Sequence, residues 1–98
     1  MKIEFANPQL ARICTEEAHK LRIPIAVIKA AREKLFLLEQ APDERTLRNF
    51  KSFNYKKLKG DKDKRRTIRV NDQYRILFTL DNSTVPSTAR ILDIGDTH

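Results

Sequence analysis

The apolar residues of this chain change their spacing at Pro42. Before it they recur every three or four positions. After it they alternate. The first spacing lines one face of a helix and the second one face of a strand, and neither pattern can serve the other structure. "KIEF" at Lys2–Phe5 already alternates and predicts a short first strand. Asn7-Pro8 is a helix-start signal, because Asn can cap and Pro fits the first helical position. Leu10, Ile13, Cys14, Ala18 and Leu21 then predict a first helix with one apolar face. Pro24 punctuates and opens a second helix, with Val27, Ile28, Ala31, Leu35 and Leu38 as its buried stripe. "APDE" at Ala41–Glu44 stops it. The short connection makes the two helices an antiparallel pair.

Beyond Pro42, Leu47 and Phe50 anchor a connecting segment. Short alternating runs follow. Strands are expected at Tyr55–Lys59, Arg66–Val70, Gln73–Leu80 and Ala89–Ile94, with Asn71-Asp72 as a turn and "DNSTVPS" as a loop. In the clearest run, Tyr74, Ile76, Phe78 and Leu80 share one face. Arg75, Leu77 and Thr79 share the other. With 98 residues the chain makes a single domain. The order strand, helix, helix, then three or four antiparallel strands predicts an α+β domain, two N-terminal helices packed on one face of a small antiparallel sheet. No apolar run reaches the length that spans a bilayer, and the N-terminus has no apolar signal core, so a cytoplasmic protein is expected. Cys14 stands alone, builds no disulfide framework, and is expected to be a small apolar packing residue.

Charge is unevenly distributed. Between Arg45 and Arg75 stand twelve of the 20 Lys and Arg against three acids, Asp61, Asp63 and Asp72, a local charge of +9. The other eight cations and ten acids leave −2 for the rest of the chain. A face that only confers solubility mixes both signs. A one-signed face more often meets a polyanion or an acidic protein. The run Lys62, Lys64, Arg65 and Arg66 reads as a mobile basic loop that holds a polyanion without sequence preference. Lys56 and Lys57 are further candidate RNA contacts.

Most catalytic chemistries lack their residues here. There is one Cys, two distant His, no Gly-x-Ser-x-Gly and no phosphate-binding glycine loop, so triad, zinc and nucleotide sites are unsupported. RNA cleavage without a metal asks for less, because RNA carries its own nucleophile, the 2′-OH. The protein must accept that proton, stabilise the phosphate's growing charge and protonate the leaving 5′-oxygen. Clustered cations suit the second task, and a lysine crowded by other cations gives up its proton more readily and suits the first. Lys56, Lys59, Arg69, Arg75, Asp96 and His98 all approach one site if the strands run as drawn. Arg75 lies mid-strand among apolar neighbours, where a charge is costly unless paired or at a site. It is either a phosphate contact or one half of a structural ion pair with Asp93. His98, read from sequence alone, is also a candidate frayed tail.

"LKGD" at Leu58–Asp61, "TIRVNDQYRILF" at Thr67–Phe78 and the terminal "D-x-H" at Asp96–His98 resemble the HigB-type (plasmid-maintenance killer) toxins of the RelE/ParE toxin superfamily. The likeness covers about the last half of the chain. It implies a microbial-RNase-like fold and an endonuclease that cuts mRNA on the translating ribosome. It also implies a helix-turn-helix antitoxin of the HigA type, through which alone the toxin would meet DNA, and no cofactor or metal. The family's catalytic positions map onto Lys59, Arg69, Arg75, Asp96 and His98. Two positions depart: Thr97 replaces a common tyrosine, and Lys56 replaces a common histidine. Two other readings stand beside this one: a gyrase-directed toxin of the same superfamily without nuclease activity and, favoured by Thr97, a catalytically weakened homologue acting in a repressor complex.

Overall fold

The structure, a computed structural model, describes residues 1–96. Five strands, β1 (Lys2–Phe5), β2 (Lys56–Lys57), β3 (Arg66–Arg69), β4 (Tyr74–Asp81) and β5 (Thr88–Asp96), form one sheet in the order β1-β5-β4-β3-β2. The two α-helices are α1 (Ile25–Gln40) and α2 (Glu44–Asn49). The α+β architecture and the second helix are as the sequence predicts. Pro24 precedes α1, and Val27, Ile28, Ala31, Leu35 and Leu38 form its buried stripe. The Asp43 carboxylate caps α2 by accepting from the Thr46 amide at 2.9 Å.

The expected first helix does not form. Its segment folds as two 3-10 turns, Leu10–Cys14 and Glu16–Leu21, broken at Thr15. Thr15 is extended (φ −122°, ψ 174°), and its hydroxyl accepts from the Glu17 amide at 3.1 Å. A threonine side chain that bonds the local backbone competes with the helix ladder. Arg32 of α1 secures the break by donating to the carbonyls of Ile13 and Thr15. Only Ile13 and Ala18 of the segment are buried, and Cys14 is exposed rather than packed. There is accordingly no antiparallel pair of α-helices.

The sheet is also not wholly antiparallel. β1 pairs with β5 in parallel, Lys2 opposite Thr88 through Phe5 opposite Ile91. A parallel pair needs a long crossover, and here everything between the first and last strands supplies it. β4 is hydrogen-bonded on both sides, to β3 and to β5. Its Ile76 and Phe78 join Ile68, Ile91 and Ile94 in one core with the α1 stripe, Leu47 and Phe53. The alternate residues of β3 and β4 therefore stand on the opposite face. Truncating Phe78, which is fully buried, should cost about 3–5 kcal/mol as Phe78→Ala. In urea titrations this is expected as a lower midpoint with an unchanged slope.

Candidate functional site

Register decides what meets on the open face. Arg69 lies directly opposite Arg75 across β3 and β4, and Thr67 is the diagonal neighbour of Arg75, opposite Leu77. Lys56 of β2 is opposite Thr67, so it joins the same face. Arg69 and Arg75, with Asn54, Asn71 and Asp72, line an open, mostly polar cleft of about 250 Å³.

The side chains of this cleft are held by short bonds. Arg75 Nε donates to the Thr67 hydroxyl at 2.9 Å, and Arg75 Nη2 donates to the Asn54 carbonyl at 2.6 Å. Among the described residues, Arg75 makes no ion pair, so the expected alternative of a pair with Asp93 is not what holds it. Burial, and then the neighbouring Arg69 charge, push its guanidinium below the ordinary arginine value. Arg69 is paired with Asp72. Asp72 is 89% exposed, and an exposed pair contributes little, so a stronger anion can take its place. The Asn71 side chain shapes the β3–β4 turn by accepting from the amides of Gln73 and Tyr74.

Other expected site residues fall elsewhere. Asp96 is paired with Tyr74, while Arg75 is paired with Gly95. Successive side chains alternate, so Asp96 extends from the face opposite Arg75. His98 and Thr97 lie outside the described residues. Lys59 sits in the turn beyond β2 and does not line the cleft.

The basic run is not one loop. Lys62 and Lys64 are exposed in it. Arg65 is instead tied down by Asp61, whose carboxylate accepts from Arg65 Nε at 2.7 Å and from the amides of Asp63 and Arg65. These bonds, led by the Arg65 side chain, hold the Asp61 carboxyl below its usual range. The segment is therefore ordered by one of its own carboxylates. Arg66 departs further from expectation. It is 8% exposed and cannot serve as a surface RNA contact. Strand alternation places it with Ile68 on the core face, where its Nη2 is 3.8 Å from Glu44 Oε2.

Glu44 gathers a second cluster that sequence reasoning missed. Its Oε2 accepts from the Tyr55 hydroxyl at 2.6 Å and faces Lys57 Nζ at 3.2 Å and Arg48 Nη2 at 3.5 Å. Lys57, expected as an RNA contact, pairs with this carboxylate while its own side chain stays 49% exposed. Burial raises the Glu44 carboxyl pKa, but the bonds from Tyr55 and Lys57 and the charge on Arg66 outweigh it, and the net shift is downward. Burial and the bond to Glu44 push the Tyr55 phenol up. A simple signal for Glu44 was absent: its four partners come from positions 48, 55, 57 and 66 on three elements and a loop. Thr67 was accessible, because counting back through the Asn71-Asp72 turn sets it diagonal to Arg75.

Among the described residues, no group of three or more His, Cys, Asp or Glu is placed to hold a metal ion, and no helix is long and apolar enough to cross a membrane.

The fold, an α+β sheet with basic side chains on its open face, is one also found in a solved toxin structure. It matches a YoeB/ParE toxin from Agrobacterium tumefaciens with a TM-score of 0.61 over 100% of both chains, at 10% identity, a likeness of fold alone. The family model for the RelE-like toxin of the type II toxin-antitoxin system HigB matches residues 3–93. The chain belongs to that family. The resemblance seen in the last half of the sequence thus extends over nearly all of it, and a cognate antitoxin is implied as partner. No curated protein matches it by sequence.

Glu44 generates a stability prediction. Its carboxyl is depressed below the unfolded value of 4.5, so its contribution is complete above that pH and is lost as pH falls through the lower folded value. Glu44→Gln should destabilise by about 1–3 kcal/mol at neutral pH. The gap from wild type should narrow in chemical denaturation as pH falls below 4.5 and vanish below the folded-state value.

Proposed function

We propose that this toxin is a ribosome-dependent mRNA endonuclease, cutting by in-line attack of the RNA 2′-OH on the adjoining phosphate. One observation carries the reading: Arg75 is fixed at an open cleft beside Arg69, with neutral oxygens as its partners. A half-buried guanidinium held by neutral acceptors keeps its charge for an incoming anion. A phosphate whose charge grows in the transition state is such an anion.

In this scheme Arg75 and Arg69 bind the scissile phosphate and stabilise the phosphorane-like state. Lys56, on the same face, stands with His98 and Asp96 as a candidate for the proton transfers. One of these three takes the 2′-OH proton and another returns one to the 5′-oxygen, and Lys59 contacts the RNA backbone. Asp96 needs the strand end to turn for this, given its place opposite Tyr74. Lys62 and Lys64 hold ribosomal or messenger RNA backbone. The antitoxin would be a helix-turn-helix protein of the HigA type, and DNA would be reached only through it.

The test is primer extension on a defined mRNA in a reconstituted translation system, with and without ribosomes. Wild type is expected to cut only with ribosomes. Arg75→Ala should lower kcat by about 10²–10³-fold. Removal of His98 then reports whether the terminus moves a proton. An mRNA left whole by wild-type protein overturns the reading, and gyrase inhibition becomes the assay to run. Replacing Lys62 and Lys64 by Ser should also weaken ribosome binding and flatten its salt dependence, the slope falling by about one for each phosphate no longer neutralised. The same change at Arg65 should do less, since Asp61 already engages it.

A further inference from the structure

We propose that Thr67 and Asn54 are positioning residues, a two-point clamp that fixes the plane of the Arg75 guanidinium before any ligand arrives. The clamp is read from geometry; its consequence for cleavage rests on the endonuclease reading above.

A long arginine side chain is flexible, and ordering it on binding costs entropy. Here two hydrogen bonds set its orientation with no ligand present. Nε and Nη2 are held at 2.9 Å and 2.6 Å by acceptors from two separate places, the middle of β3 and the turn before β2. Two anchors on different nitrogens fix the orientation of a planar group, where one would leave it free to swing. Of the five N–H donors of a guanidinium, both on Nη1 and one on Nη2 have no partner among the described residues. They remain for an oxyanion. The choice of acceptors matters as much as their placement. A carboxylate would orient Arg75 equally well but would neutralise it and compete with phosphate. A hydroxyl and a carbonyl orient without neutralising. Arg69 shows the contrast, being paired with exposed Asp72.

Each clamp residue shows a local adaptation. Thr67 is 8% exposed, so its hydroxyl requires a partner, and Arg75 is that partner. Asn54 has φ 44° and ψ 51°, the left-handed region that asparagine tolerates better than most residues. This conformation follows the 3-10 turn Lys51–Phe53. It ends that turn and leaves the Asn54 carbonyl to accept from β4.

The test pairs a structural readout with a kinetic one on the full chain. Hydrogen exchange of the Arg75 Nε–H, followed by 15N NMR, reports the clamp without any substrate. Ribosome-dependent cleavage kinetics report its use. Thr67→Val should speed that exchange by about tenfold or more and lower kcat by about ten- to a hundredfold, leaving KM within about twofold. Thr67→Ser keeps the hydroxyl and should restore both. Asn54→Gly retains the left-handed turn and should stay near wild type, whereas Asn54→Val disfavours it and should follow Thr67→Val. Unchanged exchange in Thr67→Val, with its amide spectrum still folded, overturns the clamp. Faster exchange with unchanged kcat, or a rise in KM alone, overturns its positioning role. If wild type does not cut at all, the endonuclease reading falls, and the exchange data alone still decide whether the clamp exists.

Discussion

Strand β4 is the constraint on which the rest depends. It is the middle of the five strands, bonded to β3 on one side and to β5 on the other. Its alternation does two jobs at once. Ile76 and Phe78 anchor the core beneath α1. Arg75, one residue earlier, is sent to the other face. A slip of one residue would bury the arginine and expose the isoleucine, so the core holds the register and the register holds the site. The position of Arg75 is thus secured by hydrophobic burial on the far side of the same strand.

Nine of the twelve cations between Arg45 and Arg75 fall into three populations with different physics. Arg69, Arg75 and Lys56 stand on the open face at or beside the cleft. Arg48, Lys57 and Arg66 converge on Glu44, where Lys57 of β2 and Arg66 of β3 tie α2 to the sheet. Lys62 and Lys64 remain exposed, while Arg65 closes a turn on Asp61. A linear count of cations overstates the surface available to a polyanion, because part of the charge is engaged inside. Breaking one partner of a buried charge leaves the other uncompensated. Glu44 therefore matters more than its single negative charge suggests.

What is legible in the sequence follows from how local each signal is. The α1 stripe, the hairpin turn at Asn71-Asp72 and the alternation through β4 are written over a few neighbouring residues, and they form as expected. The first helix does not, because its apolar spacing is helical but Thr15 offers the backbone a competing bond, and Arg32 from a distant helix secures the break. The same spacing would place Cys14 inside, and it is exposed for the same reason.

For this toxin, then, the chain's own pattern determined the α+β class, the central hairpin and the pairing of Arg69 with Arg75, since each depends on periodicity and one tight turn. Only tertiary structure decided which cations are available. Arg66 looks like its neighbours in the sequence, yet strand alternation buries it beside Glu44, while Lys57 pairs with the same carboxylate and stays exposed. Asp96 reads in the sequence as a companion of Arg75 at one site, yet the β4–β5 register sets it opposite Tyr74. The physical reason is common to all three. Charge in a sequence has no direction until strands pair, and which face a side chain takes is fixed by partners far away along the chain.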